Sequence, residues 1–293
     1  MRPGRRDCVA ATPPRFRMTL LLIECPDEPG LIYKITGVLY AHALNIVRND
    51  EFVERDGNVF FMRTALAGEV DAAALLAELR AALPPAADIR LTDNRRKHLV
   101  LLVTKEHHCL SELLVRHAFG ELNANIRAVI GNHEVLRELT GKFGLPFHYL
   151  PHEGRSRETH EAEVLAVLAS YAPDLVVLAK YMRILSPEFV APYANRLINI
   201  HHSFLPAFVG ASPYAQAYAR GVKIIGATAH FVNEQLDQGP IIAQSVIPID
   251  HTQSAREMAQ AGRDVEKIVL ARALKLVLDE QVFVHRNKTV IFD

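Results

Sequence analysis

Asp174-Leu175-Val176-Val177-Leu178-Ala179-Lys180-Tyr181 is the stretch that decides the fold. Its run from Asp174 to Ala179 is almost wholly apolar, the pattern of a strand covered on both faces, as in parallel sheets. A helical pattern over Arg157–Tyr171 precedes it. Working outward, strand and helix patterns alternate. Strands are predicted at Leu99–Val103, Ile126–Ile130 and Phe147–Leu150, and helices at Leu110–Ala118 and Glu134–Lys142. Further strands are predicted at Leu197–Ile200 and Ile224–Phe231. A helix over Ser254–Glu280 and a hairpin of Val282–Val284 with Thr289–Phe292 close the chain. The alternation predicts a doubly wound, mainly parallel, Rossmann-like α/β sheet. Such sheets take ligands beyond the carboxyl ends of their strands, near the point where strand order reverses. The Ser254–Glu280 helix is expected to pack on the sheet and carry no chemistry.

Upstream the pattern changes. Thr19–Ile23, Asn45–Val53, Val59–Leu66 and Ala87–Leu91 read as strands. Leu31, Ile35, Val38 and Leu39 recur at helical spacing. Asp71 is placed to cap a second helix running to Leu83. Arg55-Asp56-Gly57-Asn58 reads as a hairpin turn, with positive φ expected at Asp-Gly. The order is βαββαβ, which suits a ferredoxin-like antiparallel sheet with helices on one face. Residues 18–93 are therefore expected to form one domain and 98–293 a second, with the polar stretch 94–97 as linker. Residues 1–17, rich in arginine and proline without an apolar run, are expected to be a disordered tail and not a targeting segment.

Composition excludes several classes. The formal net charge of the 293 residues is zero, against a nucleic-acid binder driven by phosphate attraction. No apolar run approaches the ~20 residues of a membrane span. The cysteines Cys8, Cys25 and Cys109 form no pairing pattern, which fits a reduced, cytoplasmic compartment.

Three segments concentrate the chemistry. In Asn199-Ile200-His201-His202-Ser203-Phe204-Leu205-Pro206, Asn199 and His201 are two apart on a strand and so share a face. A lone buried histidine is more often a satisfied core residue, but an amide partner and a strand end favour a site. Asp237 stands in a turn before Gly239-Pro240, where its simplest role is local backbone hydrogen bonding. Lys180-Tyr181-Met182-Arg183-Ile184-Leu185-Ser186-Pro187 follows the strongest strand. Met182, Ile184 and Leu185 have core packing as their simplest reading, and Ser186-Pro187 reads as a helix start. Joint metal ligation by His107-His108 or His201-His202 is disfavoured, because neighbours on a strand face opposite ways. No metal is expected.

These segments, with His108-Cys109-Leu110, Gly131-Asn132-His133, Gly226–Val232 and Ala261-Gly262-Arg263-Asp264, resemble the folate-dependent formyltransferase superfamily. From about Met18 onward, the Cys25-Pro26-Asp27…Gly30-Leu31-Ile32 start included, the chain is similar to the formyltetrahydrofolate deformylase family, and its first domain resembles an ACT module. The resemblance implies hydrolysis of 10-formyltetrahydrofolate to tetrahydrofolate and formate, adjusting the one-carbon folate pool and supplying formate for purine synthesis. It implies Asn199, His201 and Asp237 as catalytic trio, with His230 in support. Met182, Arg183, Ile184 and Leu185 would grip the folate, joined by Asn233 and Glu234. No cofactor beyond the folate substrate is implied. The ACT resemblance implies homo-oligomerisation and an effector site near Asp27, Gly30 and Leu31, for which glycine and methionine are expected ligands. Ser212 departs from the larger, often basic residue of many relatives. A formyltransferase to an amine acceptor and a non-catalytic folate or amino-acid sensor are the alternatives. Val103-Thr104-Lys105-Glu106-His107-His108-Cys109 lacks the glycines of a phosphate cradle, and Glu106 would repel a phosphate, so water is favoured as acceptor.

Overall fold

The computed structural model describes residues 18–93, 95–206 and 213–293. The expected tail over 1–17, Asn94 of the expected linker, and Ser212 lie outside the described residues. Two compact units divide the chain, the second starting at Arg95.

The first unit contains β1 (Thr19–Pro26), α1 (Leu31–Ala41), β2 (Asn45–Glu54), β3 (Val59–Ala67), α2 (Ala72–Ala82) and β4 (Asp88–Thr92). They form the expected βαββαβ order on a sheet ordered β2-β3-β1-β4, antiparallel throughout. Asp71 Oδ1 accepts the Ala73 and Ala74 N–H groups at 3.1 Å each, satisfying two donors that a helix start leaves open. In the β2–β3 hairpin the left-handed residue is Asn58, at φ +53°, and not the expected Asp-Gly pair. Asparagine tolerates this region through its short polar side chain. Asn58 Nδ2 also donates to Asp27 O at 3.0 Å, tying the hairpin to the turn before α1.

The second unit contains β5 (Lys97–Val103), α3 (His108–Ala118), β6 (Ala124–Gly131), α4 (Arg137–Gly141), β7 (Phe147–Tyr149), α5 (Arg157–Tyr171), β8 (Leu175–Leu178), α6 (Pro187–Val190), β9 (Leu197–His201), α7 (Pro213–Arg220), β10 (Ile224–Phe231), β11 (Ile241–Pro248), α8 (Ala255–Leu278), β12 (Val282–His285) and β13 (Lys288–Ile291). Its seven-stranded sheet is ordered β11-β10-β9-β8-β5-β6-β7. Strands β5 to β9 are parallel, while β10 and β11 join antiparallel. The mainly parallel sheet expected from the alternation is thus present. β11 goes beyond that expectation. Its exposure is irregular along the chain, and it is defined by pairing with β10. α3 starts two residues before the expected Leu110, and the expected Glu134–Lys142 helix opens as a 3-10 turn over Glu134–Leu136.

β8 is buried at every position, and β5 from Leu99 to Val103. Alternation splits their side chains between two layers. Leu99, Leu101, Val103 and Val177 pack with Leu110, Val265 and Leu274 of α3 and α8. Val100, Leu102, Val176 and Leu178 pack with Val164 and Leu168 of α5. Each such side chain contributes about 1.5–3 kcal/mol on burial, which is why the run tolerates no polar residue. α8 starts with a capping box between Ser254 and Glu257. No helix among the described residues is long and apolar enough to cross a membrane.

The strand order fixes where a ligand belongs. From β5 the chain winds outward through β6 and β7, then returns to place β8 on β5's other side. The switch point is therefore the crevice at the carboxyl ends of β5 and β8.

Candidate active site

Asn199 and His201 project from one face of β9, next to that crevice. Antiparallel pairing sets His230 of β10 directly opposite Asn199. The His230 ring closes a chain of hydrogen bonds. Its Nδ1 lies 2.8 Å from Phe231 O, so Nδ1 carries the proton and donates. Its Nε2, 3.3 Å from Asn199 Nδ2, is then the acceptor. This turns the Asn199 amide nitrogen toward His230 and leaves its second N–H free to donate. Burial, outweighing the opposing pull of the Phe231 carbonyl and Asp237, holds the His230 imidazolium off and its pKa below the usual value.

Asp237 arrives from the loop after β10. Its backbone is left-handed, at φ +56°. Its Oδ2 lies 3.3 Å from His201 Nδ1, and its Oδ1 lies 3.8 Å from His230 Nε2. Burial would raise the Asp237 carboxyl. The hydrogen bond and charge of His201, then His230 and His202, outweigh it and hold the carboxyl below its ordinary value. With Nδ1 committed to Asp237, His201 Nε2 is buried and has no hydrogen-bond partner among the described residues. The pair thus presents one reactive nitrogen, whose orientation is set by a carboxylate.

The Asp237 loop depends on Gly239. A Cβ there would meet the Phe231 carbonyl oxygen at 1.7 Å, against rigid β10 backbone. Gly239→Ala is therefore expected to push the loop outward. The expected cost is about 1–3 kcal/mol of stability, with activity falling too, read by denaturant unfolding and turnover. The loop after β9 is held by Thr228 of β10. Its hydroxyl donates to Ser203 O at 2.9 Å and accepts Leu205 N–H at 3.0 Å.

A cavity of about 340 Å³ opens over these groups. Asn199, His201, His230 and Asp237 line it, as do Met182, Arg183, Ile184, Leu185, Asn233 and Glu234. All ten sequence-derived positions of the second unit converge on one pocket. Core packing fails as a reading of Met182 and Ile184, which are 55% and 62% exposed. Thr104, at the end of β5, accepts Met182 N–H at 2.9 Å and fixes their loop. Leu185 does pack inward, and Ser186 caps α6 through Phe189 N–H at 3.2 Å. Asn233 Oδ1 accepts Gln235 N–H at 3.0 Å, folding the facing loop into a turn.

Three residues escaped the sequence reading. Lys180 is 4% exposed and lines the cavity. Its place after β8 was a usable signal. Glu266 lies on α8, the helix expected to carry no chemistry. The helix packs on the sheet as expected, and its Glu266 carboxylate is wholly buried against Lys180 and His108. His202 was expected to face away from His201. β9 ends at His201, so strand alternation lapses there, and the two rings stack at 5.0 Å and 26°. Burial, followed by Lys180 and His201, pushes the His202 pKa down to about 4, keeping it neutral at physiological pH.

Two groups of side chains have metal-compatible spacing among the described residues. In His108–Cys109–Glu266 the carboxylate is already engaged. Burial, followed by Glu266, drives the Cys109 thiol well above its usual pKa. His133, His152 and Glu153 lie at the ends of β6 and β7, away from the trio in sequence and sheet order.

In the first unit Asp27, Gly30 and Leu31 line a separate cavity of about 510 Å³ with the β2 residues Glu51 and Phe52. Gly30 precedes α1 at φ +88° and gives no side-chain cap, so the start of α1, whose Leu31 and Ile32 line this cavity, is left uncapped by a side chain.

Comparison with known proteins places both units. Residues 97–274 match the formyl transferase family model, and residues 19–84 match that of the ACT domain. Formyltetrahydrofolate deformylase of Haemophilus influenzae is 56% identical over 272 residues, spanning 93% of this chain and 98% of that one. A crystal structure of a formyltetrahydrofolate deformylase from Pseudomonas syringae superposes with a TM-score of 0.90 at 41% identity, over 94% of each chain. Glycinamide ribonucleotide transformylase 1 of Symbiobacterium toebii matches 70% of this chain with a TM-score of 0.66 at 26% identity, covering 98% of that chain. Identity of this degree over nearly the whole length, with an ACT unit ahead of the formyltransferase fold, means that the chain belongs to the formyltetrahydrofolate deformylase family.

Proposed function

We propose that the protein hydrolyses 10-formyltetrahydrofolate to tetrahydrofolate and formate, in the cytoplasm, with water as the acceptor. The observation that carries this reading is the Asp237–His201 pair presenting an unpartnered Nε2 to the cavity floor. The folate lies along Met182–Leu185 and the Asn233–Glu234 turn, with its formyl carbon over Asn199 and His201. Water attacks that carbon and negative charge builds on the formyl oxygen. The free N–H of Asn199 donates to it, a contribution typically worth about 10²–10³ in rate. His201 Nε2 takes the water proton and returns it to N10 as the C–N10 bond breaks, the exchange for which imidazole is suited near neutral pH. Asp237, whose carboxyl is a weak base, holds the ring through Nδ1. The second water proton stays on the formyl product, which leaves as formic acid and ionises to formate in solution, while N10 carries the proton returned by His201.

The test is formate release by the purified protein with no amine and no metal added. Equal amounts of formate and tetrahydrofolate, lost in His201→Ala, support hydrolysis. Substrate binding without formate supports the transferase alternative.

The ACT unit serves as the regulatory module, pairing in a homo-oligomer and taking glycine or methionine at the Asp27–Leu31 turn. An amino-acid carboxylate suits the unmet N–H groups of α1. Isothermal titration is expected to detect each at millimolar concentration or below. Folate must change their affinity by the factor by which they change folate's. Absence of binding by both removes this assignment.

A further inference from the structure

The switch-point crevice beside the trio is filled by the protein's own charges. Glu266, fully buried on α8, lies 2.8 Å from His108 Nε2 in the first turn of α3. It lies 3.1 Å from Lys180 Nζ beyond β8, and accepts Tyr214 OH of α7 at 2.7 Å. Four elements thus converge on one carboxylate. Gly262, one turn before Glu266, makes the convergence possible. A Cβ there would come within 2.0 Å of Tyr214 OH. His202 completes the wall, stacked on His201 on one side and 6.3 Å from the Tyr214 ring on the other.

The place matters more than the pair. A crevice at this point, beneath a helix N-terminus, is where doubly wound folds hold an anionic ligand. Here the position beneath α3 already carries a fixed negative charge, matched by Lys180. A second anion at this position would meet the buried Glu266 carboxylate. A buried ion pair adds little net stability over apolar packing of the same volume, so stability alone gives no reason for it.

Building on the hydrolase reading, we propose that Glu266 and Tyr214 determine nucleophile specificity: they hold Lys180 and His202, which line the cavity, across the acceptor side of the site, so that a nucleophile larger than water is kept out. A primary amine that gained entry would attack the formyl carbon through its lone pair. The C–N10 bond would break, the amine proton would pass to N10, and an N-formyl amine would leave in place of formate. The discrimination works by excluding the larger nucleophile, not by binding water better.

The experiment measures how the formyl group partitions between water and glycinamide, a small uncharged primary amine. Formate and N-formylglycinamide are quantified by mass spectrometry, with enzyme-free controls subtracted. The ratio is set inside each working active site, so it does not depend on how much of a variant folds. Wild type is expected to yield formate with no enzymatic N-formylglycinamide. Glu266→Ala, and Tyr214→Ala at a half-buried position, are expected to raise the ratio of formylated amine to formate at least about tenfold, the scale of steric discrimination by a pocket wall. Ratios unchanged in both variants overturn the proposal. So does a wild type that formylates glycinamide as readily as it hydrolyses. A wild type that releases neither product overturns the hydrolase reading itself.

Discussion

His201→Ala is expected to lower kcat for formate release by about 10²–10⁴ while KM changes little. The asymmetry follows from the geometry. His201 is 5% exposed, and its Nε2, without a partner among the described residues, belongs to a side chain lining the cavity proposed to hold the formyl carbon. On the proposed reading folate affinity comes from elsewhere in the cavity, chiefly the exposed Met182 and Ile184 and the Asn233–Glu234 turn. A residue whose interactions strengthen only as charge develops affects kcat and kcat/KM together. Steady-state kinetics with a check of folding by circular dichroism measure this. A folded variant within about tenfold of wild type would remove His201 from the catalytic role.

Asp237→Asn is expected to cost a similar factor, about 10²–10⁴ in kcat, although it preserves shape. Asparagine accepts the left-handed backbone at φ +56°, so the loop is retained. What is lost is the charged acceptor that holds His201 Nδ1–H. A neutral amide can present N–H to Nδ1 and reverse the tautomer, taking the proton-accepting nitrogen away from the water. Stability carries a second signature. The Asp237 carboxyl is held below its ordinary value in the folded protein. Its stabilising contribution is present in full above the unfolded carboxylate value of about 3.9 and is lost as pH falls through the lower folded value. The difference in unfolding free energy between wild type and Asp237→Asn is therefore expected to be larger at pH 7 than near pH 3, read by denaturant titration. A difference that grows toward acid would contradict the pairing with His201.

The sequence alone determined the elements whose signal is local. Strand alternation put Asn199 and His201 on one face, and the apolar Leu175–Leu178 run required cover on both sides. Cap and turn residues fixed the starts of α2 and α6. The resemblance then brought Asp237, His230 and the two folate loops to the same site, and the cavity over β9 collects them. What the tertiary structure decided was every property that depends on a distant partner. A glutamate in the middle of an amphipathic helix reads as a solvated residue. Glu266 is buried because Lys180 and His108, far away in the chain, supply the charge and hydrogen bond that offset its desolvation. Met182 and Ile184 look like core by composition, yet their loop is held at the cavity mouth by Thr104 at the end of another strand. β11 acquires its identity only from β10. Periodicity is a property of consecutive residues and survives in the sequence. The burial of a charge, the exposure of an apolar loop and the pairing of a strand are properties of which remote segments meet, and they exist only once the sheet has closed.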